Sequence, residues 1–99
     1  MSDTLLAQYQ AVETTTEQML HAAQRNDWSE VTRLESECAL GIARIRELDA
    51  QTRLSPPDVA RKQRIMLAIL RHDAQIRSLA EPWMTQLDQL INQTKGQLH

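Results

Sequence analysis

The strongest constraint on this chain is how few residues it has that make tight turns. Its 99 residues include two glycines and three prolines, and two of the prolines are adjacent, Pro56 and Pro57. A β-sheet protein of this size needs a turn signal between every pair of strands, and the sequence has no hairpin signals. We therefore predict an all-α fold, an antiparallel bundle of three helices in a single domain over residues 1–99.

Apolar residues recur every three or four positions in three blocks, which predicts helices over about residues 3–25, 27–51 and 56–94. The core face of the first helix is predicted to contain Leu5, Tyr9, Val12, Thr16, Met19 and Ala23. The stripe on the second helix contains Val31, Leu34, Cys38, Gly41, Ile42, Ile45 and Leu48. The pattern on the third helix contains Val59, Met66, Ile69, Ile76, Ala80, Trp83, Leu87 and Leu90. Because a run of threonines, 14–16, lowers helix propensity, we expect the first helix to be the least stable.

The break between the first two helices falls at Asn26-Asp27. Asp27 followed by Glu30 resembles a capping box, so the second helix is predicted to start there. Trp28 then lies in the first turn, where its ring can cover the end of the core. A ligand platform is the alternative role for Trp28, and a structural plug is the better supported one.

The third helix is predicted to be much longer than the other two, about 55 Å against about 35 Å at 1.5 Å per residue. Ser55 and Pro56-Pro57 mark its start. Pro82 lies inside it and is expected to kink it or to split off a short fourth helix. A kinked projection is preferred, since no Gly, Asn or Ser adjoins Pro82 to build a turn.

Three helices of this size cannot bury all of the apolar residues. Ile65 to Leu70 are six consecutive apolar residues, which cover every direction around a helix. Such surplus apolar surface on a small protein indicates a binding surface for a partner, and an amphipathic helix is the matching ligand. The predicted partner-binding residues are Leu40, Leu67, Leu70, Trp83, Leu87 and Ile91.

Charge and composition exclude several classes of protein. The net charge is −2, which argues against nonspecific binding of nucleic acid, although residues 53–77 carry six basic and two acidic residues. No apolar run approaches the roughly 18 residues of a membrane span, so no membrane insertion is expected. The N-terminus has no signal-peptide pattern and Cys38 is the single cysteine. A cytoplasmic protein with no disulfide is the expectation.

Catalytic and metal-binding patterns are missing. His21, His72 and His99 lack metal-ligand spacing, so no metal, cofactor or catalytic residue is predicted. Small helical chorismate mutases have a similar length, but their site needs an arginine near the start of the first helix, and this chain has no Lys or Arg before Arg25. We therefore expect a protein without enzymatic activity. Cys38 is interpreted as a small buried hydrophobe. Asp73 is expected to pair with an arginine, for instance one on the second helix, and to set register.

Two segments carry a distinctive order of apolar and charged residues: residues 25–48, RNDWSEVTRLESECALGIARIREL, and residues 69–91, ILRHDAQIRSLAEPWMTQLDQLI. Both segments resemble the FliT family of flagellar export chaperones. In the first, the similar features are Trp28 with Glu30, Leu34-Glu35, and Ile42, Ile45 and Leu48. In the second they are Ile69-Leu70, Asp73, Ile76, Leu79, Leu87, Leu90 and Ile91.

The resemblance implies a protein that binds the filament-cap protein (FliD) in the cytoplasm, prevents its premature assembly and delivers it to the export apparatus. Some members of the family also bind the export ATPase and the flagellar master regulator, and carry a fourth helix that masks the binding surface. The sequence leaves little room for that helix before His99, so self-masking is not expected. The alternative to a chaperone is a self-associating helical module whose spare apolar surface forms a homodimer.

Overall fold

The structure, a computed structural model, contains three α-helices in the order α1 (Ser2–Gln24), α2 (Trp28–Gln51) and α3 (Pro56–Gln97). It describes the backbone of residues 2–97 and, within that range, all side chains except those of 2, 83–85, 87, 88 and 93–97. No strand occurs in the described range. The predicted all-α fold is confirmed, and α1 and α2 begin within one residue of the predicted positions.

The corner between α1 and α2 is built by two adjacent residues. Asn26 adopts the left-handed conformation, with φ 59°. The Asn26 and Asp27 amides donate to the Ala23 and Ala22 carbonyls at 3.0 and 2.9 Å, which is a Schellman motif that ends α1. The Asp27 side chain then accepts from the Glu30 amide at 3.2 Å and caps α2. One Asn-Asp pair therefore both ends α1 and starts α2.

Trp28 occupies the predicted structural position in the first turn of α2. It is half-buried and packs against a core cluster that joins all three helices. That cluster consists of Met19, Leu20, Ala22, Ala23, Val31, Leu34 and Ile76. The indole therefore packs on the core next to the α1–α2 corner, which is the position that the structural role requires.

The central helix is α1. It packs against both α2 and α3, whereas no Cα atom of α2 lies within 8 Å of one in α3 over the described residues. All six residues of its predicted core face are buried, Leu5, Tyr9, Val12, Thr16, Met19 and Ala23, and so are Leu6, Leu20 and Ala22. Both sides of α1 are therefore buried, and this tertiary packing stabilises the helix in spite of the low helix propensity of its threonines.

The contact between α1 and α2 depends on a glycine. A Cβ atom at Gly41 would lie 2.7 Å from Val12 Cγ2 and 3.3 Å from Gln8 Nε2. Both distances are shorter than ordinary van der Waals contact. The absence of a side chain at Gly41 therefore allows α2 to approach α1 closely, although glycine weakens the helix itself.

The contact between α1 and α3 differs from the predicted one. Among the described side chains of α3, the buried apolar ones are Ile65 and Ile76, whereas Met66, a member of the predicted apolar pattern, is exposed. The Oγ1 atom of the buried Thr16 lies 2.9 Å from Nδ1 of His72. This hydrogen bond is one polar contact across the interface. Asp73 pairs with an arginine as expected, but with Arg77 of its own helix, at 3.0 Å. His72, not Asp73, therefore joins α3 to a neighbouring helix through a polar group.

The third helix is 42 residues long and passes through Pro82 as one helix, so a separate fourth helix is not formed in the described range. At about 1.5 Å per residue it extends for about 63 Å, and the molecule measures 61 × 28 × 21 Å. Pro82 and Ser78 are exposed, so water can satisfy the Ser78 carbonyl that loses its helical partner. Since α1 and α2 have 23 and 24 residues, the C-terminal half of α3 extends beyond them.

Candidate partner-binding groove

Because the Cα atoms of α2 and α3 stay more than 8 Å apart while both helices pack on α1, an apolar groove opens between them. Its floor is Tyr9 and Val12 of α1, and its volume is about 290 Å³. One wall, from α2, contains Ile42, Ile45, Arg46 and Asp49, and the other, from α3, contains Met66, Ile69 and Leu70. We call this surface the α2–α3 groove. Ile42, Met66 and Leu70 are exposed, so the groove presents apolar side chains to a ligand.

Charged groups lie at the end of the groove that adjoins the α2–α3 loop. Lys62 Nζ lies 3.4 Å from Asp49 Oδ1 and 5.6 Å from the centre of the Tyr9 ring. Burial alone lowers the pKa of Lys62, but Tyr9 and Asp49 together outweigh it and raise that pKa. Lys62 therefore stays charged and, with Asp49, links α2 to α3 across the open side of the bundle.

The structure brings only part of the predicted partner-binding set into this groove. Leu70 lines it and is 60% exposed. Leu67, 55% exposed, lines a different recess between α1 and α3, and Leu40, 74% exposed, lines neither surface. Ile91 is exposed on the distal part of α3. Trp83 and Leu87 lie outside the residues whose side chains the structure describes.

Two residues of the groove were assigned to the core by sequence reasoning. Ile42 belongs to the predicted stripe of α2 and Met66 to the pattern of α3, yet both are exposed on the groove walls. The available signal was the width of the α2 stripe. The residues of this stripe span a wider arc around α2 than α1 alone covers. Ile42 lies at the edge of that arc, beyond the contact with α1.

The described residues give no support for a catalytic or metal centre. No group of three His, Cys, Asp or Glu side chains among them is arranged to hold a metal ion. The His72 ring bonds Thr16, and burial together with the negative charges of Asp73 and Glu35 raises the pKa of the Cys38 thiol. Over residues 2–97, none of the helices has an apolar stretch of the kind that crosses a bilayer.

Comparisons with known proteins identify the family. The family profile described as flagellar protein FliT matches residues 6–99. The crystal structure of flagellar protein FliT from Bordetella bronchiseptica is similar, with a TM-score of 0.80 and 31% sequence identity over 87% of this chain and 97% of that chain. A comparison with curated protein sequences finds no match. This chain therefore belongs to the FliT family, a family of flagellar export chaperones.

Proposed function

We propose that this protein is a cytoplasmic chaperone for the flagellar filament-cap protein (FliD). It binds a helical segment from the C-terminal region of the cap protein, prevents premature assembly of the cap, and delivers the subunit to the export apparatus. Membership of the FliT family supports the general role. The α2–α3 groove supports the way in which the cap protein is held.

The observation that carries the proposal is the apolar groove with exposed residues on both walls. Ile42 extends from α2, and Met66 and Leu70 extend from α3, above a buried floor. A helix that lays its apolar face into such a groove contacts both walls at spacings of three and four residues. Binding would remove these side chains from water, which a small bundle cannot achieve by itself.

Calorimetric titration with the C-terminal region of the cap protein from the same organism tests the proposal. We expect saturable one-to-one binding with a negative heat-capacity change, the signature of apolar burial. Leu70→Asp should weaken binding at least tenfold, because it introduces a charge into the desolvated groove. The matched control is Leu40→Asp, the same change outside the groove, which should bind like the unaltered protein.

Two outcomes would overturn this assignment. Absence of binding by the folded monomer would remove the cap protein as ligand. Equal affinities for the Leu70→Asp and unaltered proteins, with both folded, would place the ligand elsewhere. If sedimentation instead shows a tight homodimer that Leu70→Asp dissociates, then the groove serves self-association and not the cap protein.

The export ATPase and the flagellar master regulator are further ligands that the proposal assigns to the same groove. A shared groove makes binding exclusive. We expect either partner to be displaced by the cap segment, and to bind Leu70→Asp more weakly than Leu40→Asp. Simultaneous binding of the cap segment and either partner would show that they use another surface.

A further inference from the structure

A second recess lies between α1 and α3, outside the set of residues that line the α2–α3 groove. Its volume is about 400 Å³, and it is lined by Glu13 of α1 and by Arg61, Arg64, Leu67 and Arg71 of α3. Arg61, Arg64, Ala68 and Arg71 recur at spacings of three, four and three residues, which places them on one face of α3. We call this surface the arginine recess.

The three arginines of the recess are available to a ligand. All three are exposed, and none has an acidic partner among the residues that the structure describes. Elsewhere in the described residues, Arg33, Lys62 and Arg77 pair with carboxylates. Other exposed arginines, such as Arg44 and Arg53, also have no acidic partner there, but they do not line the recess, where three such arginines lie together. The side chain of Glu13, the acid in the recess, accepts a hydrogen bond from Gln10 Nε2 at 2.8 Å. The recess therefore concentrates positive charge that the fold does not neutralise.

The recess also contains an apolar anchor point. Leu67 lies among the arginines, more than half exposed, and Ala68 next to it leaves space for an incoming side chain. Guanidinium groups around an exposed leucine match a ligand that carries carboxylates around an apolar residue. A nucleic acid matches less well, because Glu13 lies in the recess and residues 1–50 carry nine acidic and four basic residues.

We propose that the arginine recess binds an acidic amphipathic helix of a second protein partner. The carboxylates of that helix pair with Arg61, Arg64 and Arg71, and an apolar side chain packs on Leu67. Because none of these residues lines the α2–α3 groove, the recess can be occupied while the groove holds its own ligand. The protein then joins two partners through opposite sides of α3.

A designed peptide tests the recess without knowledge of the natural partner. The probe is a fluorescein-labelled helical peptide of about 18 residues, with leucines at spacings of three and four and glutamates between them. A second peptide has lysine in place of each glutamate. We expect a saturable change in anisotropy with the glutamate peptide and none with the lysine peptide. The affinity for the glutamate peptide should fall at higher salt, because the charged groups are exposed.

Charge reversal at the recess should weaken binding of the glutamate peptide. Exposed ion pairs are each worth up to roughly fivefold in affinity, so Arg64→Glu with Arg71→Glu should weaken binding about tenfold or more. The matched control, Arg44→Glu with Arg53→Glu, changes the net charge equally at exposed residues outside both surfaces. It should bind nearly as well as the unaltered protein.

Several results would overturn the proposal. They are absence of peptide binding, equal loss in the two double variants, and tighter binding of an 18-base-pair DNA duplex than of the peptide. A homodimer that Arg64→Glu with Arg71→Glu dissociates would make a second copy the ligand. Displacement of the peptide by the cap segment would assign the peptide to the α2–α3 groove. The peptide titration uses the free protein, so it succeeds or fails independently of cap binding.

Discussion

The helices α1 and α3 pack against each other but use their apolar residues in different ways. In α1, the large apolar residues Leu5, Leu6, Val12, Met19 and Leu20 are all buried. In α3, Ile65 and Ile76 are buried, whereas Met66, Leu67, Leu70, Leu79, Leu90 and Ile91 are exposed. The difference separates the two helices: α1 forms most of the buried core, and α3 carries most of the exposed large apolar side chains among the described residues.

The largest effect is expected for a leucine-to-alanine substitution in the buried part of α1, and the same substitution in α3 serves as the comparison. Leu5→Ala removes a fully buried side chain and should lower the free energy of unfolding by about 2–5 kcal/mol. Leu70→Ala removes an exposed one and should lower it by less than about 1 kcal/mol. Urea unfolding followed by circular dichroism measures both. Comparable losses for the two variants would mean that α3 contributes to stability as α1 does.

The sequence predicted the centre of the buried face of α1 well. Six residues recur on one side of the helix, and the structure buries all six. It also buries Leu6, Leu20 and Ala22, because α1 packs against two helices. The end of α1 and the start of α2 were equally clear. Asn26 and Asp27 have the side chains that a left-handed turn and a helix cap require.

The orientation of α3 could not be predicted because its pattern is not narrow. Ile65 to Leu70 are all apolar, so periodicity cannot decide which of Ile65 and Met66 faces α1. The packed structure selects Ile65 and leaves Met66 on the groove wall. Contacts between helices far apart in sequence, such as Thr16 with His72, fix that choice.

The sequence predicted an exposed apolar surface but not which residues lie together on it. Exposed leucines were expected, and Leu40, Leu67 and Leu70 are exposed. They do not form one surface, because Leu70 lines the α2–α3 groove, Leu67 lines a recess between α1 and α3, and Leu40 lines neither. Composition shows how much apolar surface remains, but only the arrangement of helices shows which residues lie together.

A second prediction concerns the close approach of α2 to α1. Gly41→Ala places a methyl group 2.7 Å from the buried Val12 side chain. Such overpacking costs about 1–3 kcal/mol, and the better helix propensity of alanine offsets about 1 kcal/mol of it. We expect a net loss of up to about 2 kcal/mol in the free energy of unfolding, measured by urea denaturation.

The Gly41 prediction has an internal control. Val12→Ala makes space for the added methyl group, so it should cost less in the Gly41→Ala protein than in the unaltered one. A Gly41→Ala protein that is more stable than the unaltered protein would show that α2 can shift away from α1 without loss. The central position of α1 would then depend less on close packing than the structure indicates.

A smaller effect is expected at the polar contact between α1 and α3. Thr16→Val keeps the branched shape but removes the hydroxyl group, which donates to the Glu13 carbonyl of its own helix at 2.8 Å and lies 2.9 Å from His72 Nδ1. Loss of the bond to His72 should lower the free energy of unfolding by about 0.5–1.5 kcal/mol beyond the cost of losing the bond within the helix. The control is Thr14→Val, since the exposed Thr14 hydroxyl bonds the Gln10 carbonyl of its own helix. If Thr14→Val costs as much, then the effect belongs to the helix and not to the α1–α3 contact.

The smallest effect should be found at Cys38, which is intermediate between the buried residues of α1 and the exposed ones of α3. Cys38 packs against both core clusters and is half-buried. Burial, followed by the charges of Asp73 and Glu35, raises the pKa of its thiol. The thiol form is therefore favoured in the folded protein. The resulting stabilisation of the fold is complete below the thiol pKa of the unfolded chain and is lost as the pH rises through the thiol pKa of the folded protein.

We expect alkylation of Cys38 by iodoacetamide to show a higher apparent pKa in the folded protein than in the same chain unfolded in urea. Cys38 is the single cysteine that can react. Identical pH profiles in the two states would mean that Cys38 is as open to water as the apolar residues of α3, and would remove it from the buried side of the comparison.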